Sequence, residues 1–443
     1  MYRKLVRPQK RFYDIFRDQD ISFEPFVPFI GQLIEIHRAA AKDASMNYRM
    51  QLIQKHGYIY VFCFGPLLPD IDIFCKPLIG VRNILVSDGY EHERARKMLN
   101  PAFHFVKLQS LIPIMVDQTR KTINELLLLS NEHQFIDLQT EINTLTLAII
   151  ASSAFWKDFE SMTNSKRTIN RVVTELLEAM EYRIVRMIDQ IPIILRLPFW
   201  RKDIINKKSK EISDFVDQII ADRRHNRSTS LSSHEDILDI LLSAVDTQGQ
   251  TFDDQEIKDQ ALTFVLADHE TTDNLMTWTM YILMTNEQVL KVCRDEVDRI
   301  LPNNIEPTYE HLNELIVCEA VLQETLQLYP PVPFLARKCI REHLIGSEEF
   351  WSRPLEFDYT RWIRDPVTGL KPKLAHAFCY LSFGAGSRNC IGQHFALLEA
   401  KVLLGMFLQR CNFELEPNQK IVPHVRITMR TKYGLRARIT KRL

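Results

Sequence analysis

The chain has 443 residues, of which 46% are hydrophobic and 25% charged, and its formal net charge is zero. That composition belongs to a globular protein with a sizeable core; the length fits two or three domains or one large one, and the neutral balance gives no electrostatic support to a nucleic-acid partner. The eight cysteines are scattered without a C-x-x-C pair, which argues against a zinc site or a disulfide framework and for a reducing compartment.

In chain order, residues 1–24 form a basic, aromatic tail, with Arg3, Lys4, Arg7, Lys10 and Arg11 set among Tyr2, Phe12, Tyr13 and Phe16. No run of eighteen apolar residues occurs there or elsewhere, so neither a signal peptide nor a spanning helix is expected. The tail reads either as a solvated segment or as a surface-binding one, with basic groups on anionic lipid and rings in the interface. Pro25 to Gly31 is a proline-stiffened entry to a domain covering residues 25–443. A helix near residues 32–55 should end before Gly57, and Tyr58 to Phe64, β-branched and aromatic, reads as a short strand. From Gly89 the stretch GYEHERARKMLNPAF predicts a helix on which His92 and Arg96, four apart, share a face; taken alone, that is equally an exposed basic face. Long helices with few glycines are expected over Leu111 to Leu129, Leu138 to Trp156, Lys166 to Leu195 and Asp203 to Arg224. A polar linker, Arg227 to Ser233, and a short amphipathic helix, Glu235 to Asp246, follow.

Thr251 and Asp254 suggest a capping box opening a helix that runs to about Met284, roughly 45 Å long at about 1.5 Å per residue. Its middle, Ala267-Asp268-His269-Glu270-Thr271-Thr272, sets polar groups in an apolar stretch, an expensive arrangement unless they bind something or line water. A back-bonding threonine is the bland reading of that segment. Thr308 to Leu328 predicts a further helix, ending at Tyr329-Pro330-Pro331-Val332-Pro333. Gln393 to Gln409 reads as a helix, and Phe413 to Leu443 as terminal strands.

Between them lies FGAGSRNCIG, residues 383–392. Gly384, Gly386 and Gly392 are expected to let the backbone take positive φ and approach a flat ligand closely. Cys390, just before a helix N-terminus, has amides and a positive dipole end aimed at it, which should lower its pKa and favour the metal-binding thiolate. Arg388 adds a cation suited to a carboxylate. A lone cysteine in apolar surroundings is commonly core. The strand-like YLSF ahead of GAGSRN also suggests a dinucleotide turn, but Asn389 occupies the place of the third glycine and no βαβ alternation surrounds it.

The spacing Phe383-x-x-Gly386-x-Arg388-x-Cys390-x-Gly392 resembles the haem-ligand loop of the cytochrome P450 superfamily, and four motifs recur in that family's order. The resemblance implies a mainly α fold with a small β side domain forming one large haem domain. It makes Cys390 the axial thiolate ligand of the iron of haem b. Phe383, Gly384, Gly386, Gly392, Ala396 and Ala267 would frame the cofactor. Arg388, Arg96, Arg337 and His92, which takes the tryptophan position of Gly-x-x-Trp-x-x-x-Arg, would meet its propionates. In the segment that resembles the family's oxygen-activation motif, Thr271 would organise the proton-delivery water and Glu270 would support the relay.

There are departures. Asp268 stands where the family has glycine, so its carboxylate would crowd the oxygen site or turn away at a cost in helix geometry. Gln327 replaces the arginine of Glu-x-x-Arg, although Glu324 and the meander residue Arg361 remain. Breaking such a buried charged set costs about 3–5 kcal/mol, less where glutamine keeps two N–H donors. The chain is short between Pro69 and Pro77, and between Arg341 and Trp351, where missing strands would leave sheet edges unpaired. The closest branch looks like the animal microsomal hydroxylases of fatty acids, sterols and drugs. The implied reaction inserts one oxygen atom from O₂ into an apolar small molecule, with electrons from an NADPH-dependent flavoprotein reductase or a cytochrome b-type donor. The implied place is the cytosolic face of the endoplasmic reticulum, at most through peripheral contact. An impaired haem-binding paralogue with partial cofactor occupancy, or a truncated product without haem, is the alternative.

Overall fold

The computed structural model of the protein describes residues 7–18, 21–28, 31–56, 79–129, 134–160, 171–176, 178, 179, 182, 201–226, 236–335, 351, 353–365, 367–376, 378–425 and 427–442. The expected strand at 58–64, most of the helix at 166–195, the linker at 227–233, Arg337 and the shortened segments at 69–77 and after Arg341 lie outside these residues.

Within residues 1–24, helix α1 (Arg7–Arg17) puts Tyr13 into a small apolar cluster with Ile21, Phe23 and Phe26, separate from the main core. The single helix expected over 32–55 is two, α2 (Leu33–Ala41) and α3 (Ser45–His56). The break is Asp43, held at φ 57, whose carboxylate takes the Lys420 and Lys432 ammonium groups and, at 2.9 Å, the Tyr433 hydroxyl. A C-terminal turn thus fixes an N-terminal one.

Helix α4 (Gly89–Leu99) forms as expected, and α5 (Phe105–Leu129) starts a turn and a half early, with Pro113 inside it. Helices α6 (Leu138–Glu160), α7 (Lys202–Asn226) and α8 (Ile237–Ser243) follow. Helix α9 (Asp254–Thr285) is the axis of the molecule: residues 272–280 are buried without exception. Its capping box is Asp253 with Glu256, not Thr251 with Asp254. Thr251 is occupied otherwise, its backbone bridged to Val245 and its carbonyl accepting from Arg94.

Helix α10 (Glu287–Ile300) adds to the expected elements, and its Val289, Cys293, Val297 and Ile300 repeat at helical spacing and are buried. The helix expected over 308–328 divides into α11 (Tyr309–Glu314) and α12 (Ile316–Leu328). The break at Leu315 is stabilised by the Glu296 carboxylate, which accepts the Val317 and Cys318 amides at 2.8 and 2.9 Å, an acid at a helix start. Helix α13 (Gln393–Arg410) is almost wholly buried, packing on α5, α9, α10 and α12.

The β part is small, as expected. Strands β1 (Ile136–Asp137), β2 (Cys411–Leu415) and β5 (Arg436–Lys441) pair antiparallel in the order β1-β5-β2, with Phe413 opposite Ile439. Strands β3 (Pro423–Val425) and β4 (Met429–Thr431) form a hairpin.

Glu319 of α12 joins α13 through Lys401 Nζ at 3.3 Å and meets Lys371 and Arg364 at 2.7 and 3.0 Å. Burial alone would raise its pKa, but Lys401, Lys371 and Arg364 outweigh it and bring the carboxyl down to about 2. A depressed folded-state value stabilises above the ordinary glutamate range and is lost as pH falls through the folded value. The stability lost between pH 5 and 2 through this group is expected to reach about 3 kcal/mol at most. Denaturant titrations of the wild type and Glu319→Gln at pH 6 and pH 3 check it: the difference between the two proteins should shrink at the lower pH.

Candidate active site

An exposed alanine in the middle of a buried helix marks a slot against that helix. Ala267 of α9 is exposed and Thr271, one turn on, half-buried, while residues 272–280 are closed. Cys390 is exposed too, although Phe395 on the following helix is 1% exposed. Phe103 ties the two walls together. Its ring packs edge-on against Phe264 of α9 at 5.1 Å, and its edge lies 4.0 Å from where a Cβ on Gly392 would sit, a point 3.9 Å from Cys390 Sγ. A Cβ at 392 would touch both the ring and the thiol at ordinary van der Waals distance.

Backbone bonds hold the cysteine loop. The Cys390 N–H donates to the Phe383 carbonyl at 2.7 Å, the Gly384 N–H to Leu381 at 2.8 Å, and the Asn389 N–H to Gly386 at 3.1 Å. Gly384 and Gly386 sit at φ +70 and +74, the region glycine adopts freely. Gly392 does not: at φ −84 it is the N-cap of α13, and a Cβ there would meet only ordinary contacts. Ala396, 9% exposed, donates its N–H to the Gly392 carbonyl at 2.9 Å.

The expected depression of the Cys390 pKa is not found. The protein atoms packed around the thiol push it up, the Gly392 N–H pulls it down, the Asp268 carboxyl raises it and Arg96 lowers it, with a net rise. The helix start is real but is outweighed, so a cation must supply the rest of the thiolate's stabilisation.

Arg388 and Arg96 make crossing links. Arg388 Nη2 donates to the Ser87 carbonyl and to Asp88, just before α4. Arg96, on α4, donates to the carbonyl and side chain of Asn389 at 2.6 and 3.0 Å. His92 is 5% exposed, and burial, then Arg388 and Arg96, lower its pKa, so a neutral imidazole sits beside two guanidinium groups.

On α9 the Thr271 hydroxyl donates to the Ala267 carbonyl at 2.7 Å, the back-bonded form. Glu270 points elsewhere, its Oε2 accepting from Thr428 at 3.1 Å. Among the described residues Asp268 finds no donor for its Oδ2; it interacts with Thr272 and with Glu399 of α13, both of whose oxygens are buried without a partner in hydrogen-bonding geometry there. Burial, and then the neighbouring acid, hold Glu399 mostly neutral, and burial raises Asp268 as well. Glu399 escapes notice in the sequence, though it lies nine residues after Cys390 on the same helix.

Behind the loop, Glu324 is fully buried and satisfied despite Gln327. Arg361 Nη1 donates to Oε1 at 2.7 Å, the Asp358 N–H to Oε1 at 2.9 Å, and the Trp362 indole N–H to Oε2 at 2.7 Å. Gln327 is half-buried. The indole, missed in the sequence though adjacent to Arg361, supplies the second oxygen's donor.

These residues fit haem b: an exposed thiol, an exposed alanine on α9, Phe103 packed against both elements, and the Arg96 charge acting on the thiol. Fold and site together define a haem-thiolate protein. The family model described as Cytochrome P450 matches residues 75–347 and 343–434, and the chain belongs to that family. It is an oxidoreductase of the monooxygenase class whose cofactor is haem. Human cytochrome P450 4X1 is 26% identical, over 91% of this chain and 88% of the relative. Cytochrome P450 CYP72A219 of Panax ginseng is 30% identical over 79% and 71%, and cytochrome P450 4A14 of Rattus norvegicus 26% over 85% and 78%. The crystal structure of the cytochrome P450DA heme domain superposes with a TM-score of 0.79 at 22% identity, covering 96% of this chain and 98% of that one, a likeness of fold. Among the described residues no helix is long and apolar enough to cross a membrane.

Proposed function

We propose that the chain hydroxylates an apolar small molecule of the fatty-acid, sterol or xenobiotic kind, taking electrons from an NADPH-dependent flavoprotein reductase at the cytosolic face of the endoplasmic reticulum. The observation that carries this reading is the exposed Cys390 thiol set across a phenylalanine-lined slot from Ala267 and Thr271. When bound there, haem supplies activation of O₂. Cys390 would hold the metal, Arg96 and Arg388 would neutralise the propionates with neutral His92 as a hydrogen-bond donor beside them, and Phe103 and Phe264 would help exclude water. Thr271 Oγ1, released from the Ala267 carbonyl, positions the water that delivers protons, and Glu270 replenishes it. Incubation with a long-chain fatty acid, reductase, NADPH and ¹⁸O₂ tests this: one labelled oxygen atom in the product is expected, and a product free of label overturns it.

Asp268 restrains the reaction in this reading, because a charged or shared-proton carboxyl stands beside the thiol where the relatives' motif has hydrogen. Asp268→Gly is expected to raise coupled product formation by roughly threefold to tenfold, asking for about 1 kcal/mol on the barrier. The ratio of product to NADPH consumed measures it, and an unchanged ratio removes the role.

A further inference from the structure

Against α9 lies a polar cavity of about 600 Å³ lined in part by Glu270 and Asp273. The two are three apart on one helix, so their carboxyl groups are neighbours. We propose that Asp273 is a positioning residue for the proton supply: it carries an exchangeable proton and passes it through cavity water to Glu270. This rests on the monooxygenase reading above and adds to it a group whose place the family motif does not mark.

Four features carry the inference. Asp273 is 3% exposed, and among the described residues each of its oxygens has one donor, Asn143 Nδ2 to Oδ2 at 3.0 Å and Thr277 Oγ1 to Oδ1 at 3.1 Å. Neither donor is charged, and the one cation acting on the carboxyl, Arg430, is outweighed by burial and the Glu270 charge, so the protonated form is favoured. Glu270, next to Thr271 in sequence, also lines the cavity and accepts one bond from Thr428, leaving lone pairs for water. The cavity is polar and roomy enough to hold water between them.

The step balances without a further reagent. The Asp273 O–H bond breaks as its proton joins a cavity water, which gives up another of its protons to the Glu270 carboxylate; Asp273 is then reprotonated by a hydronium ion from bulk solvent, or by a water that departs as hydroxide, so the proton consumed comes from the medium. The charged lining comprises Glu141 on α6, Arg171, Glu175 and Glu178 beyond it, His424, Arg430 and Lys432 on the β3–β4 hairpin, Glu125 on α5 and Asp137 on β1. Of these Arg430 acts on Asp273, and with Asn143 and Thr277 it opposes burial and the Glu270 charge; the raising influences prevail and the carboxyl stands at about 8.

The test uses the full chain with haem bound. Infrared difference spectra of the resting wild type should show a protonated-carboxyl stretch that titrates near that value and exchanges in deuterated water. Asp273→Asn, which imitates the neutral acid in shape, should lack it. The same variant should lose about tenfold in coupled turnover with KM unchanged, and lose the alkaline limb of the pH profile. Asp273→Ser serves if the asparagine variant does not fold. A wild-type spectrum without the band, or variants with the wild-type pH profile, overturns the proposal. The thiolate-type spectrum of the carbon-monoxide complex is read on the same samples. A normal spectrum with no Asp273 band sinks this inference alone, whereas its absence in the wild type sinks the underlying reading.

Discussion

Cys390→Ser is expected to remove completely the thiolate-type Soret band of the reduced, carbon-monoxide-treated protein, while the wild type shows it. The expectation follows from the loop. The Cys390 N–H is fixed on the Phe383 carbonyl at 2.7 Å and the loop backbone is held by the bonds around it, so the backbone that aims the side chain at 390 is fixed. A serine there has the same aim but is a hard, poorly ionised oxygen, and thiolate character is what places the band. The raised pKa of the free thiol means that loading must displace a proton, so metal and cysteine stabilise each other. Folding of the variant is read by far-ultraviolet circular dichroism. A folded serine variant that keeps the thiolate-type band would show that another group holds the iron.

How much of this was legible beforehand follows from the range of the forces involved. The helices α4, α6, α7, α9 and α13 were visible because their apolar spacing is local, and the loop around Cys390 because its glycines and cysteine have fixed separations. What failed was decided by partners far away in sequence. Asp43 breaks a helix because Lys420, Lys432 and Tyr433 lie against it, and Leu315 breaks another because Glu296 takes the next two amides. Thr251 lost the cap to Asp253 once its backbone paired with Val245. The thiol's pKa departs from the sequence expectation because the dipole of α13 is visible in the sequence, whereas the mass around the sulfur and the approach of Asp268 are not. Glu399 and Asp273 had no signal of their own; each matters only through what a second helix or strand sets opposite it. The same holds for Gln327, read as a lost cation, whose consequence is softened by an indole that only the fold brings to Glu324.

That substitution leads to the largest stability effect expected. With a glutamine at 327, Arg361 is the one cation bonded to Glu324 among the described residues, and Arg361→Ala is expected to cost about 3–5 kcal/mol, the range for breaking a buried pair by removing one partner. Loss of the Trp362 donor in Trp362→Phe should cost less, about 1–3 kcal/mol, because a neutral bond is removed and Arg361 stays. Gln327→Arg should leave haem occupancy unchanged, since Glu324 already has three donors. A few kcal/mol is a large part of a typical folding margin of roughly 5–15 kcal/mol, so Arg361→Ala should also lower the fraction of protein recovered with haem. Burial already raises the Glu324 pKa, against the Asp358 N–H, Trp362 and Arg361. Without the guanidinium it rises further, and the folded state then holds its proton more tightly than the unfolded one. Stability of the variant must therefore fall as pH increases from the ordinary glutamate range toward the folded value. Denaturant titrations at pH 5 and pH 8 decide it: the deficit of Arg361→Ala relative to wild type should be larger at pH 8. An equal deficit at both, or one below about 1 kcal/mol, would mean that Glu324 is held by its neutral donors and that the charge pair contributes little.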